Sequence, residues 1–285
     1  MSSHSRVAAA IALLTVVAAR SSAQENEVQV VTSGGHRYVV SNGIPDHVPG
    51  QFPNRNNPNR IAEQDHRYRM PLAPVVAERA TPNRGQFGVA IDGIPFDPGT
   101  GETWRGDVRW RYEALGGGVD LGIDSHHAHV QPTGLYHYHG LPTALVRRTG
   151  ADHQMGLLGW AADGFEIYGP ACLADPEDPE SRTARVRSGW VLRKGQRPGG
   201  SEGPGGRYDG TFTQDWTWSE DAGDLDECNG HSGATPTHLE GAYHYHVLAE
   251  FPFVPRYWRG TPDESFTSLA PHAGGGGHRH PPRRE

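Results

Sequence analysis

Past residue 23 the apolar side chains of this chain do not recur every three or four positions over any long stretch. No long amphipathic helix is therefore predicted. The apolar positions come instead in short runs broken by Gly, Pro and Asp, a pattern that predicts short strands joined by loops. Two segments carry a hairpin signal. GVAIDGIPFDPG at 88–99 and GWAADGFEIYGP at 159–170 each place Asp-Gly between apolar, β-rich flanks. Asp and Gly both accept positive φ in a tight turn. The sharpest alternation is TGLYHYHG at 133–140, which returns as GAYHYHVL at 241–248.

The repeated motif closes a longer echo. IDSHHAH at 123–129 aligns without a gap with LDECNGH at 225–231. That alignment pairs Asp124 with Asp226, His126 with Cys228, and His129 with His231. The offset between copies grows from 71 at the first match to 102 at the second, so the second copy holds about 31 further residues. They fall in residues 174–210, where Pro, Gly and charge mark a surface insertion. The expected fold is mainly β, with duplicated antiparallel strand and hairpin units, long loops and few helices. Half-repeats are expected at about 88–146 and 159–260, inside one domain spanning 24–260. An approximate two-fold would bring equivalent strands together.

Composition supports the same class. With 38 glycines and 23 prolines in 285 residues, the chain is punctuated more densely than helices tolerate. Val7 to Ala19 is a largely apolar run of 13 residues, preceded by Arg6 and followed, after Arg20, by Ser21-Ser22-Ala23. This reads as a signal peptide over residues 1–23, too short for a bilayer span of ~20 residues. A secreted or periplasmic protein is expected, with no membrane span after cleavage. Losing Arg6 and Arg20 takes the net charge from −7 to −9, which argues against nucleic acid as a partner. Residues 261–285 read as a flexible Gly/His/Pro-rich tail, with His278 and His280 as a further His-x-His.

Alternate residues of a strand face opposite sides, so His137 and His139 share one face and Tyr136 and Tyr138 the other. The same holds for His244 and His246 against Tyr243 and Tyr245. Residues i and i+2 lie ~6.6–6.8 Å apart at Cα, close enough for two imidazoles to lean onto one metal. His129 and His231, at equivalent positions upstream, supply a third candidate ligand per copy. The candidate sets are His129, His137 and His139, and His231, His244 and His246. Three imidazoles suit a copper or zinc ion. Asp124 and Asp226 are natural acceptors for the far N–H of a ligand histidine. Cys172 and Cys228 either form one disulfide or stay as free buried thiols.

These residues resemble the YHYH-domain family. The resemblance rests on SNGIPDH and PNRNNPN within 41–59, DGFEIYGP at 163–170, LDECNGH, and both YHYH blocks. It implies an exported protein whose histidine motif binds metal. It also implies a cysteine in the loop before each YHYH and another shortly after it. Here His126 and Ala144 stand at those places in the first copy, and Tyr257 at the later place in the second. Cys172 is then the candidate partner of Cys228.

The expected function is an exported metal-binding protein. A metal-dependent enzyme is the alternative, with Asp226, Glu227 or Asp163 as acid/base groups. A carbohydrate-recognition module is another, with Trp216 and Trp218 as a stacking surface.

Overall fold

Both Asp-Gly turns form as their sequences predict. Gly93 and Gly164 sit at φ of 80° and 95°, where a side chain is strained. The Ala90 amide donates to the Ile94 carbonyl, and the Ala161 amide to the Phe165 carbonyl, each at 2.9 Å. The computed structural model describes residues 24–266. The signal peptide expected at 1–23, and His278 and His280 in the tail, lie outside the described residues.

Eight strands build the central sheet: β1 (Gly88–Ala90), β2 (Pro95–Phe96), β3 (Ala128–Val130), β4 (Tyr136–Tyr138), β5 (Leu157–Ala161), β6 (Glu166–Tyr168), β7 (Gly230–Thr235) and β8 (His238–His246). Their spatial order is β7-β8-β6-β5-β1-β2-β4-β3. Each half of the sheet thus repeats the other in reverse. The two hairpins meet at the centre, where β1 and β5 pair antiparallel, with Gly159 opposite Ala90 and Ala161 opposite Gly88. The strands brought together are those of the hairpins. The two YHYH strands lie far apart, five inter-strand steps along the sheet, or ~24 Å at ~4.8 Å per step.

Two pairings depart from the antiparallel expectation. β4 runs parallel to β2, and β8 parallel to β6. A long connection, ending in the antiparallel strand that precedes the motif, separates each motif strand from its Asp-Gly hairpin, and such a crossover is what a parallel pairing needs. Phe87, Phe96, Ile167, Tyr138 and Tyr245 fill the core at full burial. A three-stranded antiparallel meander, Val28–Ser33, His36–Ser41 and His66–Pro71, packs Tyr68 and Met70 into that core. Among the described residues the one α-helix, Thr143–Thr149, is confined between Pro142 and the left-handed Gly150.

The insertion has structure of its own. Thr183–Arg185 pairs with Ala171–Leu173, and Trp190–Leu192 pairs with Trp216–Trp218. Inside it Arg197 donates to the carboxylate of the fully buried Asp215 and to Asp209. Trp216 stacks on Phe251 at 4.4 Å between ring centroids, and the Trp218 indole donates to the Leu225 carbonyl.

Candidate metal centres

The register of two hairpin ladders gathers the histidines. β3 pairs antiparallel with β4, placing His129 directly opposite His137. β7 pairs antiparallel with β8, placing His231 directly opposite His244. His139 and His246 follow two residues later on the same faces. Their amides donate to the carbonyls of His127 and Asn229, at 2.7 and 2.9 Å. Both acceptors sit at left-handed φ, 56° and 58°. Such backbone is uncommon for residues other than glycine, and here it ends each Asp/His-rich loop in the same conformation.

Each trio converges. In the first cluster the ring centroids of His129, His137 and His139 form a nearly equilateral triangle with sides of 4.6, 4.6 and 4.7 Å. Nε2 of His137 lies 3.0 Å from Nε2 of His139. In the second, the corresponding sides are 4.6, 5.2 and 5.1 Å, and Nε2 of His231 lies 3.2 Å from Nε2 of His246. His137, His139, His244 and His246 are buried, while His129 and His231 are half-buried. The six expected histidines therefore form two separate centres, one per half.

Main-chain carbonyls orient four of the six rings. Nδ1 of His129 and of His137 meet the carbonyls of Leu121 and Leu135, at 3.2 and 3.4 Å. Nδ1 of His244 and of His246 meet those of Ala242 and Gly169, at 2.9 and 2.7 Å. A carbonyl only accepts, so these contacts assign the proton to Nδ1 and leave the Nε2 lone pair for the cluster. Burial, reinforced by neighbouring imidazoles, pushes His244 down to about 3 and His246 well below the ordinary histidine value. Burial lowers His231 as well. The second cluster is thus held neutral, the form that binds metal.

Asp124 and Asp226 do not take the role expected of them. Both lie on the tyrosine face, where Asp124 accepts from Tyr136 at 2.8 Å and Asp226 from Tyr243 at 3.0 Å. They also cap loop amides, those of His126 and Ala128 in one half and of Cys228 and Gly230 in the other. The second tyrosine of each motif donates to a hairpin aspartate, Tyr138 to Asp92 and Tyr245 to Asp163. Every motif tyrosine thus anchors a turn, and every motif histidine joins a cluster. Burial raises Asp163 to about 6 and raises Asp92 and Asp226 above the usual carboxylate range. Glu227 approaches Arg259 at 3.9 Å.

The cysteines are not bridged. Cys172 and Cys228 are both free and buried. They occupy different apolar clusters: Cys228 packs in the main core, whereas Cys172 packs with Met155 and Tyr168. The Cys172 sulfur instead lies 3.4 Å from Nε2 of His231 and 3.8 Å from Nε2 of His244. Its ligand atom and those of His231, His244 and His246 all fall within 4.8 Å of one another. Sequence reasoning missed this candidate ligand because two cysteines behind an expected signal peptide point first to a disulfide.

His47, which has no counterpart in the other half, joins Asp46 and Asp92 in a third group with ligand atoms within 4.8 Å. Its Nε2 meets the Tyr136 hydroxyl at 3.2 Å, and Asp46 pairs with Arg148. His126 and His127 stay outside the clusters. His126 meets Thr143 Oγ1 and the Val48 carbonyl, and His127 the Leu141 carbonyl. The asparagines of PNRNNPN buttress the first centre. Asn57 and Asn59 both donate to the carbonyl of Val130, next to His129, at 2.9 and 2.7 Å.

No curated protein and no solved structure matches the chain. A family model described as YHYH protein matches residues 67–260, which takes in both hairpins, both clusters and the insertion. By that match, over more than half its length, the chain belongs to the YHYH protein family.

Proposed function

We propose that this is an exported metal-binding protein that holds copper or zinc ions in its two histidine clusters. The observation that carries this reading is the convergence of three imidazoles in each half, with ring nitrogens at contact distance. Metal–nitrogen bonds of ~2.0–2.1 Å in a tetrahedron set neighbouring nitrogens ~3.3 Å apart. The two Nε2 pairs stand at 3.0 and 3.2 Å. Edge-to-face packing of rings accounts for their spacing, but not for Nδ1 of His129, His137, His244 and His246 being tied to main-chain carbonyls while Nε2 of His137 and His246 turns to a neighbouring imidazole. That orientation is the outer-shell arrangement usual for ligating histidine.

The reading is tested by metal analysis of the purified mature protein and of a His137→Ala, His244→Ala double variant. The expected result is two ions per wild-type chain and none in the variant. Equal, near-zero content in both would end the proposal.

A further inference from the structure

Among the described residues, the two clusters differ by one candidate ligand. The chain turns at Gly169-Pro170 directly after β6, and this short segment acts twice on the second cluster. The Gly169 carbonyl accepts from Nδ1 of His246, and Cys172, three residues on, directs its sulfur at His231 and His244. In the first half, the 71-residue hairpin offset places Gly101 where Cys172 stands. That position has no side chain, and among the described residues the first group comprises His129, His137 and His139. Bond lengths of ~2.3 Å to sulfur and ~2.05 Å to nitrogen in a tetrahedron set sulfur and nitrogen ~3.6 Å apart. The observed separations, 3.4 and 3.8 Å, straddle that value.

We propose, resting on the metal-binding reading above, that Cys172 closes the second centre. It forms with His231, His244 and His246 a four-ligand site for a thiophilic tetrahedral ion, while the first centre is a separate three-imidazole site. A site with four protein ligands is the closed, structural kind, whereas three leave a position for an exogenous ligand. Binding a divalent ion converts the Cys172 thiol to a metal thiolate. The S–H bond breaks, a sulfur–metal bond forms, and one proton leaves to solvent with no change of oxidation state. The thiolate also sorts ions, since soft sulfur favours zinc or cuprous copper over oxygen-preferring cations. Cys228 serves as an internal control, being a buried thiol outside the cluster.

Cobalt(II) is the probe, because a thiolate ligand adds a sulfur-to-cobalt charge-transfer band in the near ultraviolet. The metal-free mature chain is titrated with cobalt and read by absorbance and by bound metal. The expected result is two bound ions and a charge-transfer band that Cys172→Ser abolishes and Cys228→Ala retains. Cys172→Ser is expected to weaken one of the two sites by at least about tenfold and to leave the other unchanged. Two bound ions with no such band in the wild type would overturn the role of Cys172 and leave the histidine reading standing. A band lost in Cys228→Ala and kept in Cys172→Ser would also overturn it. No bound cobalt at all would remove the metal-binding reading itself.

Discussion

His231 stands directly opposite His244 in the β7–β8 ladder. A cross-strand pair of this kind places its Cβ atoms ~4.5–5.5 Å apart without help from any loop. The third imidazole, His246, follows on the same face, so the cluster is built almost wholly by strand register. The first half repeats this with His129 opposite His137. A centre built this way is as rigid as the sheet that carries it.

Because the two YHYH strands are separated by four intervening strands, the centres are expected to load independently. His137→Ala should remove one of two bound ions and His244→Ala the other. Side chains this far apart, with no shared ligand, contribute additively. Metal content measured on each single variant checks this. A single variant that empties both centres would show that they are coupled.

Stability should depend on pH through His66, which is buried on the first residue of its strand and pushed down to about 4 by that burial. Between about 4 and the ordinary 6.5 the unfolded chain holds a proton on this ring that the folded chain lacks. The stabilisation is therefore complete above the upper value and is lost as pH falls, by up to about 1.4 kcal/mol per pH unit. Asp163 acts in the opposite sense, since its folded value is raised from 3.8 to about 6. Comparison of metal-free wild type with His66→Phe cancels that contribution. The difference between them, from denaturant titrations, should move against the wild type as pH falls through this window. A pH-independent difference would mean His66 titrates alike in both states.

Arg197→Ala should destabilise the insertion strongly. Asp215 is 0% exposed and would lose its cation. Stranding a buried charge in this way costs about 3–5 kcal/mol. The loss should appear in urea unfolding while the content of the first centre stays at one ion, because Arg197 touches neither cluster. A change below about 1 kcal/mol would show that water reaches Asp215 when Arg197 is gone.

Much of this was legible in the chain. The Asp-Gly turns and the face-sharing of alternate histidines follow from local rules of φ and strand period, and the His129/His231 alignment named the third histidine of each cluster. What was not legible depended on where distant segments land. Cys172 lies at the head of the insertion, and only the turn after β6 brings it to His231. His47 comes from a loop before the first hairpin and has no partner in the other half to mark it. Asp124 and Asp226 were expected on the histidine side, but a carboxylate in a capping loop goes where the loop amides and a tyrosine hydroxyl need it. The strand order also exceeded the pattern, since a two-fold is equally compatible with pairing the motif strands or the hairpins.

The central β1–β5 ladder carries a last implication. A Cβ on Gly88 would sit 2.4 Å from the Trp160 carbonyl oxygen, and one on Gly159 would sit 2.2 Å from that of Val89. Glycine stands at both points, so the backbone of one strand lies closely against that of the other there. Any bulkier residue would act as a wedge, pushing the two halves of the sheet, and with them the two histidine clusters, apart. The spacing of the two histidine clusters thus rests on a seam where a single hydrogen stands in for a side chain at Gly88 and again at Gly159.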